Sequence, residues 1–152
     1  MGTDQATQLR KLNQLHAYTT IQMHEAIGRV ARFSGTEHKY LGFLVQNGPM
    51  TAGELANITG LTTGAITGLI DRFEKKKLVR RQFDKEDRRK VYIVPNTQNI
   101  MSLMEPLYKE YRGMIEKLIG SFSKKDIKVI ETFISGSIEI MNKVRDNITE
   151  NK

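Results

Sequence analysis

The stretch TAGELANITGLTTGAITGLIDRFEKKKLVRRQFDKEDRRK, Thr51 to Lys90, decides the fold. Thr51 followed three residues later by Glu54 is a capping box, in which each side chain satisfies the other residue's free amide. It starts a short helix with Leu55 and Ile58 as its inward contacts. Gly60-Leu61 is a turn. A second helix opens near Thr62 or Thr63 and runs to about Lys76, burying Ile66, Leu69, Ile70 and Phe73 at spacings of three and four. Its other face carries Thr63, Gly64, Thr67, Gly68, Asp71, Arg72 and Lys75. Each Gly in a helix interior costs roughly 0.5 to 1 kcal/mol relative to Ala, so this backbone is expected to lie close to something bulky, either DNA or a neighbouring helix. Val79 to Phe83 and Val91 to Val94 read as the strands of a two-stranded hairpin around Asp84-Lys85-Glu86-Asp87. A hairpin that small is stable only when packed on the helical core.

Outward from this centre the pattern lengthens. Leu9, Leu12, Leu15, Thr19, Met23, Ile27 and Val30 mark an amphipathic helix from Gln5 to Ala31, broken by Ser34-Gly35-Thr36. Thr36 is the expected cap of the next helix, which carries Tyr40, Leu41, Leu44 and Val45 inward and stops at Gly48-Pro49. Asn96 caps a fifth helix with Ile100, Leu103, Leu107, Tyr111, Met114 and Leu118 in line. Ser123 with Asp126 caps a sixth, striped by Ile127, Ile130, Ile134, Ile138, Met141, Val144 and Ile148. These three helices greatly exceed the short middle ones, and a bundle within one chain would leave their ends apolar and exposed. Dimerisation through the first, fifth and sixth helices is therefore expected.

Formal net charge is +7, and residues 69–94 hold ten Lys or Arg against five Asp or Glu. Most of the excess sits in about one sixth of the chain, which points to phosphate more than to general solubility. A capped helix, a turn, a second helix and a basic hairpin together make a rod for the major groove and a finger for the adjacent backbone or minor groove. Double-stranded DNA is the expected partner. The absence of Cys excludes disulfides and thiolate chemistry. His16 and His24 lie more than two helical turns apart, His38 is remote, and no His-Glu-x-x-His occurs, so no metal site is expected. Asp84 and Asp87 stand among bases, which hold them as anions and unsuit them to act as an acid and base pair. Neither catalysis nor a cofactor is expected. No apolar run approaches the ~20 residues that span a bilayer, and no signal-like leader is visible, so a cytoplasmic protein without a membrane partner is expected.

The run Leu61 to Arg81, followed after Gln82 and Phe83 by Asp84-Lys-Glu-Asp-Arg-Arg-Lys, resembles the MarR (multiple-antibiotic-resistance regulator) family of winged helix-turn-helix regulators. The resemblance implies a mainly α fold. Residues 34–97 would form a winged helix-turn-helix lobe, and residues 1–33 and 98–152 the long N- and C-terminal dimerisation helices. It further implies a homodimeric repressor of palindromic operators, relieved by a small aromatic or lipophilic effector. A winged-helix protein-interaction module, or a constitutive DNA-binding regulator without ligand control, are the alternatives.

By the same resemblance Thr62, Thr63, Ala65, Thr67, Gly68, Arg72 and Lys75 fall where the family's recognition helix approaches DNA, with Arg72 expected to matter most. In the wing, Arg88 and Arg89 match the family's paired arginines. One is expected in the minor groove or on its phosphates and the other braced by Asp84 or Asp87, the wing-orienting acids. Arg80, Arg81, Lys85 and Lys90 are then backbone contacts with salt-dependent affinity. His16, Tyr18, Met23, Tyr40, Phe43 and Tyr111 are candidates for an effector pocket, with ordinary core packing as their other reading. The chain departs from the family pattern in three places. Lys77 replaces the Gly that ends the recognition helix, Pro95-Asn96 replaces Leu-Thr, and Asn99 replaces Gly.

Overall fold

The computed structural model describes residues 3–150, and the chain divides between Leu107 and Tyr108 into two compact units. The first unit holds α1 (Thr3–Val30), α2 (Lys39–Asn47), β1 (Met50–Thr51), α3 (Ala52–Thr59), α4 (Thr63–Lys75), β2 (Val79–Phe83) and β3 (Val91–Pro95). It also includes the start of α5 (Thr97–Gly120). The strands form an antiparallel sheet in the order β1-β3-β2, with Met50 opposite Ile93 and Phe83 opposite Val91. The expected two-stranded hairpin thus gains a third strand. β1 is two residues long and is defined by its partner, so no alternation in its own sequence reveals it.

The core gathers Leu41, Leu44, Leu55, Ile66, Leu69, Ile70, Phe73, Leu78, Val79, Ile93 and Ile100. Phe73 meets the ring of Phe33 edge-on at 5.7 Å, which joins α4 to the end of α1. Leu55 is buried with Ala52 and Ala56 packed beside it, whereas Ile58 is exposed. At 3.6 residues per turn Ile58 lies roughly 60° beyond Leu55, on the side away from Ala52 and Ala56, which corrects its assignment to the core.

Thr36 does not cap α2. Residues 34–38 instead wind through tight turns, with Glu37 N donating to Ser34 O (3.2 Å) and Lys39 N to Thr36 O (3.0 Å). His38 precedes the helix in right-handed helical geometry without a side-chain cap. It is buried at 2% exposure, with its ring 6.3 Å from Phe33 and 5.9 Å from His24. Gly28 makes this approach feasible. A Cβ there would collide with the carbonyl oxygen of Gly35 and lie 3.3 Å from His38 Nδ1.

The capping box forms as expected: Thr51 N donates to Glu54 Oε2 at 2.7 Å and Glu54 N to Thr51 Oγ1 at 3.2 Å. The bonds from the Thr51 amide and, after it, the Thr51 hydroxyl hold the Glu54 carboxyl below its ordinary range. Gly60 closes α3 in the left-handed region (φ 70°), and Thr62 opens α4 by accepting from Ala65 N at 3.3 Å. At the far end Lys77 takes φ 58°, a left-handed conformation that favours Gly. Leu78 N donates to Phe73 O at 2.9 Å, and the Asn99 side-chain amide donates to Lys77 O at 2.9 Å. Two departures from the family pattern therefore meet in space. A Gly at 99 would have no side-chain amide to offer the Lys77 carbonyl.

The second unit comprises the remainder of α5 and α6 (Lys124–Glu150). Ser123 and Asp126 cap α6 reciprocally, with both backbone amides bonded at 3.2 Å. No residue of α6 is buried, and Ile134, Ile138, Met141, Val144 and Ile148 are all exposed. Among the described residues no helix is long and apolar enough to cross a membrane.

Candidate nucleic-acid interface

Successive residues of α4 turn by about 100°, so its buried stripe of Ile66, Leu69, Ile70 and Phe73 defines an inner arc. One flank carries Asp71 and Glu74, and the other carries Arg72. Gly64, Thr67 and Lys75 lie exposed between them. The helix is moored on both flanks. On the first, Arg81 of β2 donates to Asp71 Oδ1 at 2.6 Å and pairs through its other terminal nitrogen with Glu74 Oε2. Arg81 N also donates to Glu74 Oε1 at 3.1 Å, so one carboxylate receives both backbone and side chain of the strand. The bond to Asp71, followed by Glu74, raises the Arg81 pKa above its ordinary value.

On the second flank Arg72 reaches back toward the segment before α2. Its Nε donates to Glu37 Oε2 at 3.1 Å, and its terminal nitrogen bonds Glu37 Oε1. Lys76, one turn further on, places Nζ 5.0 Å from the centre of the Phe33 ring. The same flank bounds a cavity of about 370 Å³ between the Ser34–Glu37 segment and α4.

Several expected contacts on α4 are placed accordingly. Thr62 and Thr67 turn their hydroxyls to the helix backbone, Thr67 donating to Thr63 O at 3.0 Å, which leaves the Thr67 methyl group outward. Thr63 and Lys75 are exposed. Ala65 and Gly68 line the cavity beside Arg72. A Cβ at Gly68 would lie 3.2 Å from an Arg72 terminal nitrogen, so this Gly makes room for an arginine of its own helix.

The wing is built by its acids. Asp84 accepts from the amides of Glu86 (2.8 Å) and Asp87 (2.9 Å), and Asp87 accepts from Arg89 N at 3.0 Å. The bonds to Asp84 from Asp87 and Glu86 hold its carboxyl below the ordinary range. Asp84 N donates to Lys90 O, and Lys90 N to Asp87 O, both at 2.9 Å. Both carboxylates thus bond backbone amides of the wing loop. Among the described residues neither Arg88 nor Arg89 forms an ion pair. Both are exposed, as are Lys85 and Lys90.

Of the six pocket candidates one, Tyr40, is among the residues that line this cavity. Its ring stacks on Phe43 at 6.4 Å. His16 and Tyr18 are exposed on α1, Met23 is half-buried, and Tyr111 is exposed on the part of α5 in the other unit. Among the described residues no group of three or more His, Cys, Asp or Glu could hold a metal ion.

Sequence reasoning found the wing and the exposed face of α4, but not the ties. Glu37 stands 35 residues from its arginine, and nothing in its neighbourhood marks it. Arg81 could have been paired with Asp71 or Glu74 only by aligning β2 against α4.

A helix-turn-helix followed by a basic β-wing defines the chain as a winged helix-turn-helix protein. Residues 33–90 match the MarR family. The chain is 33% identical over 134 residues to the uncharacterized HTH-type transcriptional regulator YcgE of Bacillus subtilis (strain 168), covering 86% of this chain and 84% of that one. Its fold is similar to that of a MarR family protein from Bacillus stearothermophilus, with a TM-score of 0.73, 25% identity, and coverage of 93% of this chain and 99% of that one. It is also similar to Streptococcus pneumoniae FabT, solved in complex with DNA, with a TM-score of 0.74, 19% identity, and coverage of 91% and 99%. The chain belongs to the MarR family of DNA-binding transcription regulators.

Proposed function

We propose that the protein is a homodimeric, sequence-specific regulator that inserts α4 into the major groove of duplex DNA and lays the wing along the neighbouring backbone or minor groove. The observation that carries this reading is the juxtaposition of an exposed, small-residue face on α4 with a wing tip whose Arg88 and Arg89 form no ion pair among the described residues. Small side chains admit close approach to base edges and thymine methyls, and the cations supply affinity for phosphate. The shared fold with a protein solved on DNA supports it.

Dimerisation is supported by apolar side chains left uncovered in the single chain. Leu9, Leu12 and Leu15 on α1, Met114 and Leu118 on α5, and Ile138, Met141 and Val144 on α6 are each more than 40% exposed. A surface this apolar on three long helices marks an interface. Residues 1–33 and 98–152 are then the dimerisation region and 34–97 the DNA-binding region. Two copies present two recognition helices to a palindromic operator with half-sites about one helical turn apart, roughly 34 Å. Repression, with relief by a small aromatic or lipophilic effector, extends this reading from the family resemblance. Tyr40 is the effector-contact candidate that the cavity retains.

Selection of duplexes from a random pool, together with the mass of the protein in solution, tests the proposal. A dimer that recovers a symmetric motif with that spacing is expected. A monomer, or an asymmetric or absent consensus, contradicts it.

A further inference from the structure

Arg72 is a half-exposed cation of α4, yet one edge of its guanidinium is already taken. Glu37 takes it with both carboxylate oxygens, and the Glu37 side chain is only 18% exposed. A Cβ at residue 68, one turn earlier, would lie 3.2 Å from a terminal nitrogen of Arg72, so Gly68 leaves the guanidinium its present path without displacement. Lys76 follows the same flank onto Phe33. Two side chains four residues apart therefore bind α4 to one short segment, residues 33–37, ahead of α2. The opposite flank is held by Arg81. Ties on both sides resist rolling of the helix about its axis and sliding along it, and these motions decide which base edges its exposed face meets.

We infer that Glu37 and Arg72 are positioning residues that set the angle of the recognition helix, and that Arg72 is a tie to the α1–α2 segment, not a phosphate or base contact. This rests on the DNA-binding reading above and goes beyond it. Plain electrostatics gives the opposite expectation for Glu37. Removing a negative charge beside a DNA-binding face tightens binding if the charge only repels phosphate. Removing a tie loosens the helix and weakens specific binding.

The test uses the full chain, a duplex recovered by selection with the unaltered protein, and a random-sequence duplex of equal length. Circular dichroism and thermal melting first verify that each variant is folded at the assay temperature. Glu37→Gln and Arg72→Ala are each expected to weaken binding to the selected duplex about five- to twentyfold. The double variant is expected to be no weaker than either single one, as for two residues acting as one unit. Binding to the random duplex stays within about twofold, and the slope of log affinity against log salt is unchanged for either duplex. Arg72→Lys keeps the charge but loses the fork, and behaves as Arg72→Ala. The interchanged pair Glu37→Arg with Arg72→Glu recovers part of the lost discrimination.

A salt slope that falls by about one in Arg72→Ala, or tighter binding in Glu37→Gln, overturns the inference. So does unchanged discrimination between the two duplexes. Failure of the DNA reading itself has a separate signature. The protein carrying Arg88→Ala and Arg89→Ala would then hold both duplexes as before.

Discussion

Around α4 each arginine is held by carboxylates, Arg72 by Glu37 and Arg81 by Asp71 with Glu74. At the wing tip Arg88 and Arg89 are exposed and form no ion pair among the described residues. The helix and the wing thus draw on the same residue types for different work. A cation whose donors are spent inside the protein fixes geometry, while one whose donors face water is available to release counterions from DNA. Even the acids divide this way. Asp71 and Glu74 join elements, whereas Asp84 and Asp87 bind backbone amides and shape one loop. On the proposed function, the tied helix supplies specificity and the wing, with its exposed cations, supplies affinity.

The largest effect that probes this contrast is at the wing. Replacing Arg88 and Arg89 together by Ala is expected to weaken binding to any duplex about a hundredfold at moderate salt, while melting temperature and oligomeric mass stay unchanged. Fluorescence anisotropy with selected and random duplexes measures it. Equal affinity before and after would remove the wing from the interface.

Arg81→Ala probes the helix side. It leaves Asp71 and Glu74 without their shared cation, and the expected loss is about 1 to 2 kcal/mol of stability by denaturant titration. The two uncompensated carboxylates should also weaken binding to the selected duplex. Full stability combined with a lower salt slope would instead make Arg81 a phosphate contact and break the contrast.

His38 gives a smaller effect with a defined sign. Burial first, then the proximity of His24 and Lys39, holds its pKa down to about 4, against 6.5 unperturbed. Between those values the unfolded chain binds the proton and the folded chain does not, so this contribution to stability is complete above about pH 6.5 and is lost as pH falls toward 4. One pH unit below 6.5 the cost is roughly 1.4 kcal/mol. Because His38 stands next to Glu37, acid should loosen the segment that holds α4. Thermal melts at pH 7.5 and 5.5 should show a steeper decline for the natural chain than for His38→Gln; parallel declines would exclude His38 as the source.

The smallest effect concerns Lys77 at the end of α4. Its left-handed backbone is unfavourable for a side chain bearing Cβ, so Lys77→Gly is expected to stabilise the protein by about 0.5 kcal/mol. Asn99→Gly, which removes the bond to the Lys77 carbonyl, should destabilise it by about 1 kcal/mol. Chemical denaturation measures both, and a destabilised Lys77→Gly protein would show that the lysine side chain does more at this position than the backbone geometry implies.

The legible parts of this molecule are those in which cause and effect lie within a few residues. The Thr51–Glu54 and Ser123–Asp126 caps, the turn at Gly60 and the buried stripe of α4 follow from spacing alone. The long apolar stripes were readable for the same reason. What escaped was nonlocal. β1 exists because β3 lies beside it, and the start of α2 moved from Thr36 to His38 because residues 34–38 turn against Gly28 of α1. Glu37 and Arg72 are separated by 35 residues, and the meeting of Lys77 with Asn99 follows from the return of the chain through the wing. The sequence places Asp84 and Asp87 at the hairpin tip, but which atoms they hold depends on the folded loop.

The most direct test of this division of labour is the salt dependence of binding to one selected duplex, measured side by side for the natural chain, the Arg88→Ala plus Arg89→Ala protein and Arg72→Ala. The slope should fall by about one for each wing arginine that meets a phosphate and should not change for Arg72→Ala, even though that protein binds more weakly. An undiminished slope in the wing variant, or a slope reduced by about one in Arg72→Ala, would contradict the assignment of charge to the wing and geometry to the helix.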